Sequence, residues 1–177
     1  MRILLVAMNA SYVHTNLAIR YLREVLEEQE NPEWEVRIKE FTINEHLESI
    51  AAEIYEEKPD IIGFSCYIWN IALITALIRR LRPVLPGTFI LCGGPEVSFD
   101  PEELLLNNRE WDGILTGEGE NSLPKLVQAL TEGSRLSGID GLAWRQQEGP
   151  SGRGVVKNPC GTILPDLNDL PNPYARQ

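Results

Sequence analysis

Four short stretches hold the residues that could do chemistry. They are Asn9 to Thr15, Ser65 to Trp69, Gly93 to Val97 and Gly117 to Glu120. The first offers Asn9, Ser11, Tyr12, His14 and Thr15, and the second Ser65, Tyr67, Ile68 and Trp69. The third offers Gly93, Gly94, Pro95 and Glu96, and the fourth Gly117, Glu118, Gly119 and Glu120. Glycine lets a backbone come close to a flat or bulky ligand, and aromatic groups such as Tyr12, Tyr67 and Trp69 suit a large planar one. Familiar catalytic patterns fit poorly. A dinucleotide fingerprint should follow the first strand, but the first stretch has no glycine. Gly117-Glu118-Gly119-Glu120-Asn121-Ser122 imitates the fingerprint after the wrong strand, with two carboxylates that would repel phosphate. A nucleophile elbow at Ser65 needs a second glycine where Tyr67 stands. A phospho-receiver needs acidic groups where Met8, Asn9 and Ser65 stand. Cys66 has no histidine nearby in the sequence to activate it and is expected to be a packed thiol. Of the two histidines, His46 is expected on a solvated helix start, while His14 stays open between a hydrogen-bonding side chain and a metal ligand.

These stretches matter because each follows a predicted strand. Ile61, Ile62 and Phe64 form a short apolar run without polar alternation, which predicts a strand buried on both faces. Ile3 to Ala7 predicts a buried first strand. Trp34, Val36, Ile38 and Phe41 mostly alternate and predict a strand nearer the edge. Thr88 to Cys92 and Asp112 to Leu115 complete the set. Between them, helical spacing recurs over about Asn16 to Glu28, then through Leu47, Ile50, Ala51, Ile54 and Tyr55, through Leu73 to Leu81, and through Leu123 to Leu130. Thr42 or Asn44 is expected to cap the second of these helices and Asn70 the third. Strand and helix alternate five times with short connections. This predicts a doubly wound, flavodoxin-like or Rossmann-like α/β fold, a three-layer sandwich around a five-stranded parallel sheet. In that topology the four stretches gather at the carboxyl edge of the sheet, where such folds bind ligands.

The domain is expected over residues 1–133. Residues 134–158 are expected to add a small β-hairpin, from Gly141 to Arg145 and Gly154 to Lys157 around a Gly/Pro-rich turn. Residues 159–177, punctuated by Pro159, Pro165, Pro171 and Pro173, are expected to be a linker. A net charge of −10 over 177 residues disfavours nonspecific binding to nucleic acid or anionic membranes. The acidic residues are expected on solvated helix faces. No apolar stretch approaches the ~18 residues of a membrane span, and the apolar start is too short for a signal peptide, so a cytoplasmic protein is expected. Three widely separated cysteines form neither a CxxC pair nor a disulfide framework.

Ser65-x-Tyr67 after the third strand, Gly93-Gly94 after the fourth and Gly117-Glu118-Gly119-Glu120 after the fifth resemble the cobalamin-binding domain that precedes the catalytic barrel of radical S-adenosylmethionine enzymes. The run Leu164-Pro165-Asp166-Leu167-Asn168-Asp169-Leu170-Pro171 is similar to that family's linker into the barrel. The resemblance implies that Ser65 and Tyr67 contact the cobalamin nucleotide tail. It further implies that Gly93 and Gly94 let the tail pass the fourth strand, that Gly117 to Glu120 flank its base, and that the first loop lies nearer the corrin. The broader family's Asp-x-His-x-x-Gly is replaced by Asn9-Ala-Ser-Tyr-Val-His14-Thr-Asn16, which leaves open whether His14 ligates cobalt. The family's Cys-x-x-x-Cys-x-x-Cys motif is absent. A four-iron four-sulfur cluster and S-adenosylmethionine would therefore be bound beyond Gln177, by a downstream barrel of the same polypeptide, and this fragment would be inactive by itself. The expected function is the cobalamin module of a methyltransferase whose acceptor the sequence does not name. Two alternatives are a nonenzymatic regulatory or interaction module on the same fold and a flavin- or nucleotide-binding domain.

Overall fold

The computed structural model describes residues 1–11, 15–149, 152–160 and 171–173. Strand β1 (Arg2–Asn9) leads to helix α1 (Leu17–Glu27), then β2 (Glu35–Thr42), α2 (Leu47–Glu57), β3 (Ile61–Ser65) and α3 (Ile71–Val84). Next come β4 (Phe89–Gly93), a single 3-10 turn (Pro95–Val97), α4 (Pro101–Asn107), β5 (Gly113–Leu115) and α5 (Gly119–Glu132). Two further strands, β6 (Leu142–Gly149) and β7 (Gly152–Lys157), close the described chain.

All seven strands form one sheet in the order β2-β1-β3-β4-β5-β6-β7. The first five are parallel, with the 2-1-3-4-5 order of flavodoxin-like folds. The sheet thus has seven strands where the sequence led to an expectation of five. The hairpin joins it because β6 pairs antiparallel with β5. Leu142 and Ala143 are fully buried on opposite faces, as in a strand covered on both sides, and the pairing hides the open edge that β5 would otherwise present. The hairpin's end is pinned by Asn158, which is buried and donates from Nδ2 to the Leu136 and Ile139 carbonyls at 2.9 and 2.8 Å. Of the expected linker, residues 161–170 and 174–177 lie outside the described residues.

Side-chain alternation divides the core into two layers. On one face Leu4, Val6, Ile62, Phe64, Ile90, Cys92 and Ile114 pack under α2, α3 and α4, against Ile50, Ile54, Ile74, Leu77, Ile78, Leu81 and Leu105. On the other, Ile3, Leu5, Ala7, Ile61, Leu91 and Leu115 pack under α1 and α5, against Ile19, Leu26, Leu123, Leu126 and Val127. The edge position of β2 accounts for its half-wet pattern. Helical acids there are paired across to the strand, Glu57 with Arg37 at 2.7 Å and with Lys39 at 3.2 Å. Cys66 and Cys92 are both buried in the first layer. Burial, together with the neighbouring Cys66, pushes the Cys92 thiol well above its ordinary value, so it stays protonated and packs as an apolar group.

The expected caps are partly replaced. His46, exposed, stands at the N-cap of α2 with no side-chain cap. Thr42 instead gives its backbone N–H to Glu45 Oε1 at 2.6 Å. Asn70 is at the N-cap position of α3, but its side chain faces backwards. Oδ1 accepts the Tyr67 N–H at 2.8 Å, while Nδ2 donates to the carbonyls of Met8 and Ser65 at 3.1 and 3.0 Å. Asn70 thereby ties the ends of β1 and β3 together, across the point where strand order reverses.

Candidate functional site

A groove opens at the carboxyl edge of the sheet, between α1 and α5, with a volume of about 260 Å³. Its floor follows from register. Ala7, Ser65, Gly93 and Leu115 are paired in one row across β1, β3, β4 and β5, and the row below carries Leu5, Gly63 and Leu91. Both rows face the α1/α5 layer. Ala7, Gly63, Ser65 and Gly93 are too small to fill the space that a row of large residues would occupy. The space is kept by the absence of Cβ atoms. A Cβ on Gly63 would come within 3.0 Å of Leu5 Cδ2, and one on Gly119 within 3.0 Å of Leu22 Cδ2. Ala18, Ile19 and Leu22 of α1 form one wall, and Gly119, Glu120 and Leu123 of α5 the other.

The mouth is shaped by the loops. Gly94 has φ +109°, and a Cβ there would sit 2.5 Å from the Cys66 carbonyl oxygen, so only glycine lets the β4 exit pass under the β3 exit. The Cys66 N–H is bonded to the Gly93 carbonyl at 2.7 Å. Tyr67 and Trp69 stack, with ring centroids 4.5 Å apart and planes 8° apart. Tyr67 lines the groove, while Trp69 and Ile68 are exposed.

Two polar systems border the floor. Ser65, only 8 % exposed, receives a hydrogen bond from Asn16 Nδ2 at 3.3 Å. Glu40 of β2, paired with Ala7 in register, continues the Ala7–Ser65–Gly93 row outward. Its carboxylate accepts from Asn9 Nδ2 (2.8 Å), Thr15 Oγ1 (2.6 Å), the Asn16 backbone N–H (2.9 Å) and Arg20 Nη2 (2.8 Å). Partial burial alone would raise the pKa of this carboxyl, but hydrogen bonds from Thr15, Asn16, Asn9 and Arg20 outweigh it and hold it below the ordinary value. Glu40 so fastens both ends of the loop after β1.

The structure therefore brings together Ser65, Tyr67, Gly93, Gly94, Gly117, Glu118, Gly119 and Glu120 around one groove. Gly119 and Glu120 belong to the first turn of α5, with Glu118 at its N-cap, so this stretch is only half a loop. Asn9 and Thr15 lie on the Glu40 network instead of in the groove wall, with Ser11 between them in sequence. Pro95 and Glu96 sit in the 3-10 turn beyond the mouth. Tyr12 and His14 lie outside the described residues. Sequence reasoning missed Gly63, Ala18 and Leu22, and it also missed Asn16 and Glu40. A signal for two of them was present: a glycine inside a buried strand, and a charge at Glu40 where the Val36-Ile38 alternation calls for an apolar side chain. Among the described residues no group of three or more His, Cys, Asp or Glu could hold a metal ion, and no helix is long and apolar enough to cross a membrane.

The sequence pattern of the B12 binding domain family matches residues 3–127, which spans every residue lining the groove. Among curated proteins, uncharacterized methyltransferase PH0819 of Pyrococcus horikoshii is 29 % identical over 125 residues, 70 % of this chain and 26 % of its own length. The cobalamin-dependent radical SAM methyltransferase TokK of Streptomyces tokunonensis is 27 % identical over 118 residues, 66 % of this chain and 17 % of its own. The chain thus spans about a quarter or less of these relatives. Among solved structures, the radical S-adenosylmethionine methyltransferase TsrM of Kitasatospora setae, with cobalamin and a [4Fe-4S] cluster bound, superposes with a TM-score of 0.71 at 20 % identity. That match covers 96 % of this chain and 30 % of TsrM, and it establishes a shared fold.

Proposed function

This chain belongs to the B12 binding domain family, and from that premise we propose that it is the cobalamin-binding module of a larger radical S-adenosylmethionine methyltransferase. The observation that carries the reading is the groove floored by Gly63, Ser65 and Gly93. At about 260 Å³ it lies below the ~300–1,000 Å³ of pockets that enclose a drug-sized ligand, so it suits one flat end of a larger molecule. Its walls are apolar, from Leu5, Ile19, Leu22, Leu91, Leu115 and Leu123, and its floor offers one buried hydroxyl. Those features fit the heteroaromatic base of a cobalamin nucleotide tail, with Ser65 as its polar contact and Gly117 to Glu120 flanking it. Glu118 and Glu120 would repel a phosphate seated beside them, which weighs against a free nucleotide.

When bound, cobalamin supplies a cobalt centre that can carry a methyl group. The chain's own residues bind and orient it. Gly94 lets the tail pass the β4 exit. The Tyr67–Trp69 stack and Ile68 border the mouth, Pro95 and Glu96 lie just beyond it, and Asn9, Ser11, Tyr12, His14 and Thr15 would supply further contacts. The relatives' extra length supports a catalytic domain in the same polypeptide. That domain would hold the iron-sulfur cluster and S-adenosylmethionine, and the methyl acceptor would bind there.

A visible-absorption titration with hydroxocobalamin tests the reading. A saturable spectral shift is expected. Its absence, from both this chain and the full-length protein in their folded state, overturns the proposal. The same titration on His14→Ala decides the axial ligand: an unchanged shift excludes the imidazole, and a lost one assigns it.

A further inference from the structure

Ser65 has an incomplete set of partners. Its hydroxyl can donate one hydrogen bond and accept others. Among the described residues its one partner is Asn16, whose Nδ2 lies 3.3 Å from Ser65 Oγ. The direction of that bond is fixed by the other half of the same amide. Asn16 Oδ1 accepts the backbone N–H of Ile19 at 3.2 Å, and a backbone N–H can only donate. The oxygen of the amide must therefore face the helix and its NH₂ must face Ser65. With an N–H already directed at one of its two lone pairs, the Ser65 hydroxyl does not spend its proton on Asn16. Ser65 as a residue is only 8 % exposed, and it lines the groove. A ligand acceptor seated in the groove can take this proton.

Asn16 itself has little freedom. It is buried, caps α1, and its backbone N–H is held by Glu40 Oε2 at 2.9 Å. Glu40 is in turn fixed by Asn9, Thr15 and Arg20. The result is a chain of defined donors and acceptors running from β2 through the start of α1 to the end of β3.

We propose that Asn16, anchored by Glu40, is a positioning residue that fills one lone pair of the Ser65 hydroxyl and leaves its proton to be donated into the groove. A ligand end that presents a lone pair there is accordingly favoured. This rests on the cobalamin reading and deepens it, since it names the residue that orients the Ser65 hydroxyl at the floor of the site.

The test is a double-mutant cycle on the folded chain, with Kd for hydroxocobalamin read by absorption titration. Asn16→Asp keeps an oxygen for the Ile19 N–H but replaces the donor with an acceptor that captures the Ser65 proton. Asn16→Ser keeps a capping oxygen and lacks the reach to Ser65, which guards against charge repulsion between an aspartate and Glu40. Each is expected to weaken binding about tenfold, the size of one hydrogen bond. Ser65→Ala should weaken it by a similar factor, and either Asn16 change combined with Ser65→Ala should be no worse than Ser65→Ala alone. A purely structural role for Asn16 gives a different pattern: a lowered Tm, and losses that multiply with Ser65→Ala. Multiplying losses, or unchanged Kd in both Asn16 variants, overturns the positioning role while leaving cobalamin binding intact. Failure of the unmodified, folded chain and full-length protein to bind overturns the cobalamin reading and this inference with it.

Discussion

The two faces of one sheet are built from the same strands, yet they do opposite things. Toward α2, α3 and α4 the strands present Val6, Phe64, Cys92 and Ile114 in one row, and the helices above close over them with Ile74, Leu77, Ile78 and Leu81 fully buried. One residue further along each strand, toward α1 and α5, the row is Ala7, Ser65, Gly93 and Leu115, and the helices stand over a groove. The difference lies in side-chain volume at alternating positions. Because strand side chains alternate between faces, a sequence can pack one face to full density and hollow the other without bending the backbone. The packed face supplies stability and the hollow face supplies a site.

Four substitutions sharpen or break that division. The largest effect is expected at the crossing between the two exits. Gly94→Val places a side chain in a backbone region nearly reserved for glycine and against the Cys66 carbonyl, so it should cost about 3 kcal/mol or more and appear as a large fall in Tm or as unfolded protein. Ile78→Ala, on the packed face, should cost about 2–5 kcal/mol in denaturant unfolding. The folded fraction should nonetheless bind cobalamin with a Kd within about twofold of the unmodified chain. A large change in Kd would show that the faces are coupled.

Gly93→Val should do the reverse. A Cβ there meets only the Leu115 carbonyl, at 3.5 Å, so stability should change by about 1 kcal/mol or less. Cobalamin affinity should fall about 100-fold, or about 2.7 kcal/mol, because the new side chain occupies the groove. Retained affinity would place the cofactor's tail elsewhere. The smallest effect belongs to Glu40→Gln, at about 1–2 kcal/mol from weakened hydrogen bonds to a charged acceptor. Its pH dependence is diagnostic. The Glu40 pKa is lowered in the fold from the ordinary 4.5. Its stabilisation is therefore present above that pH and is lost as pH falls through the lower folded value. Acid unfolding curves should converge for the unmodified and Gln forms at the acidic end and separate above it. A constant gap across the range would show that the carboxylate charge does not matter.

Much of the site was legible because strand ends announce themselves. Apolar runs that stop at Ser65, Gly93 and Leu115 put the next residues at the carboxyl edge of the sheet, and Gly94 and Gly117 stood out there by type. What could not be read was anything that depends on register. Nothing local to Glu40 says that it stands beside Ala7, or that it gathers Asn9, Thr15, Asn16 and Arg20. Gly63 reads locally as no more than a glycine inside a strand, and its part in the groove floor appears only when Leu5 and Leu91 stand on either side. The hairpin looked separable because Leu142 to Trp144 is a short run, and its pairing with β5 is a contact distant in sequence.

By itself the sequence determined the element order, the parallel α/β class, the carboxyl edge as the place for a ligand and the glycines that edge requires. These follow from periodicity, chain punctuation and the fixed handedness of crossovers, all of which act over short stretches. Tertiary structure alone decided that the sheet has seven strands, that one face is hollow, and that Asn16 and Ser65, 49 residues apart, share a hydrogen bond. Those outcomes are set by how strands align sideways and how helices settle on them, through interactions between residues far apart in the chain.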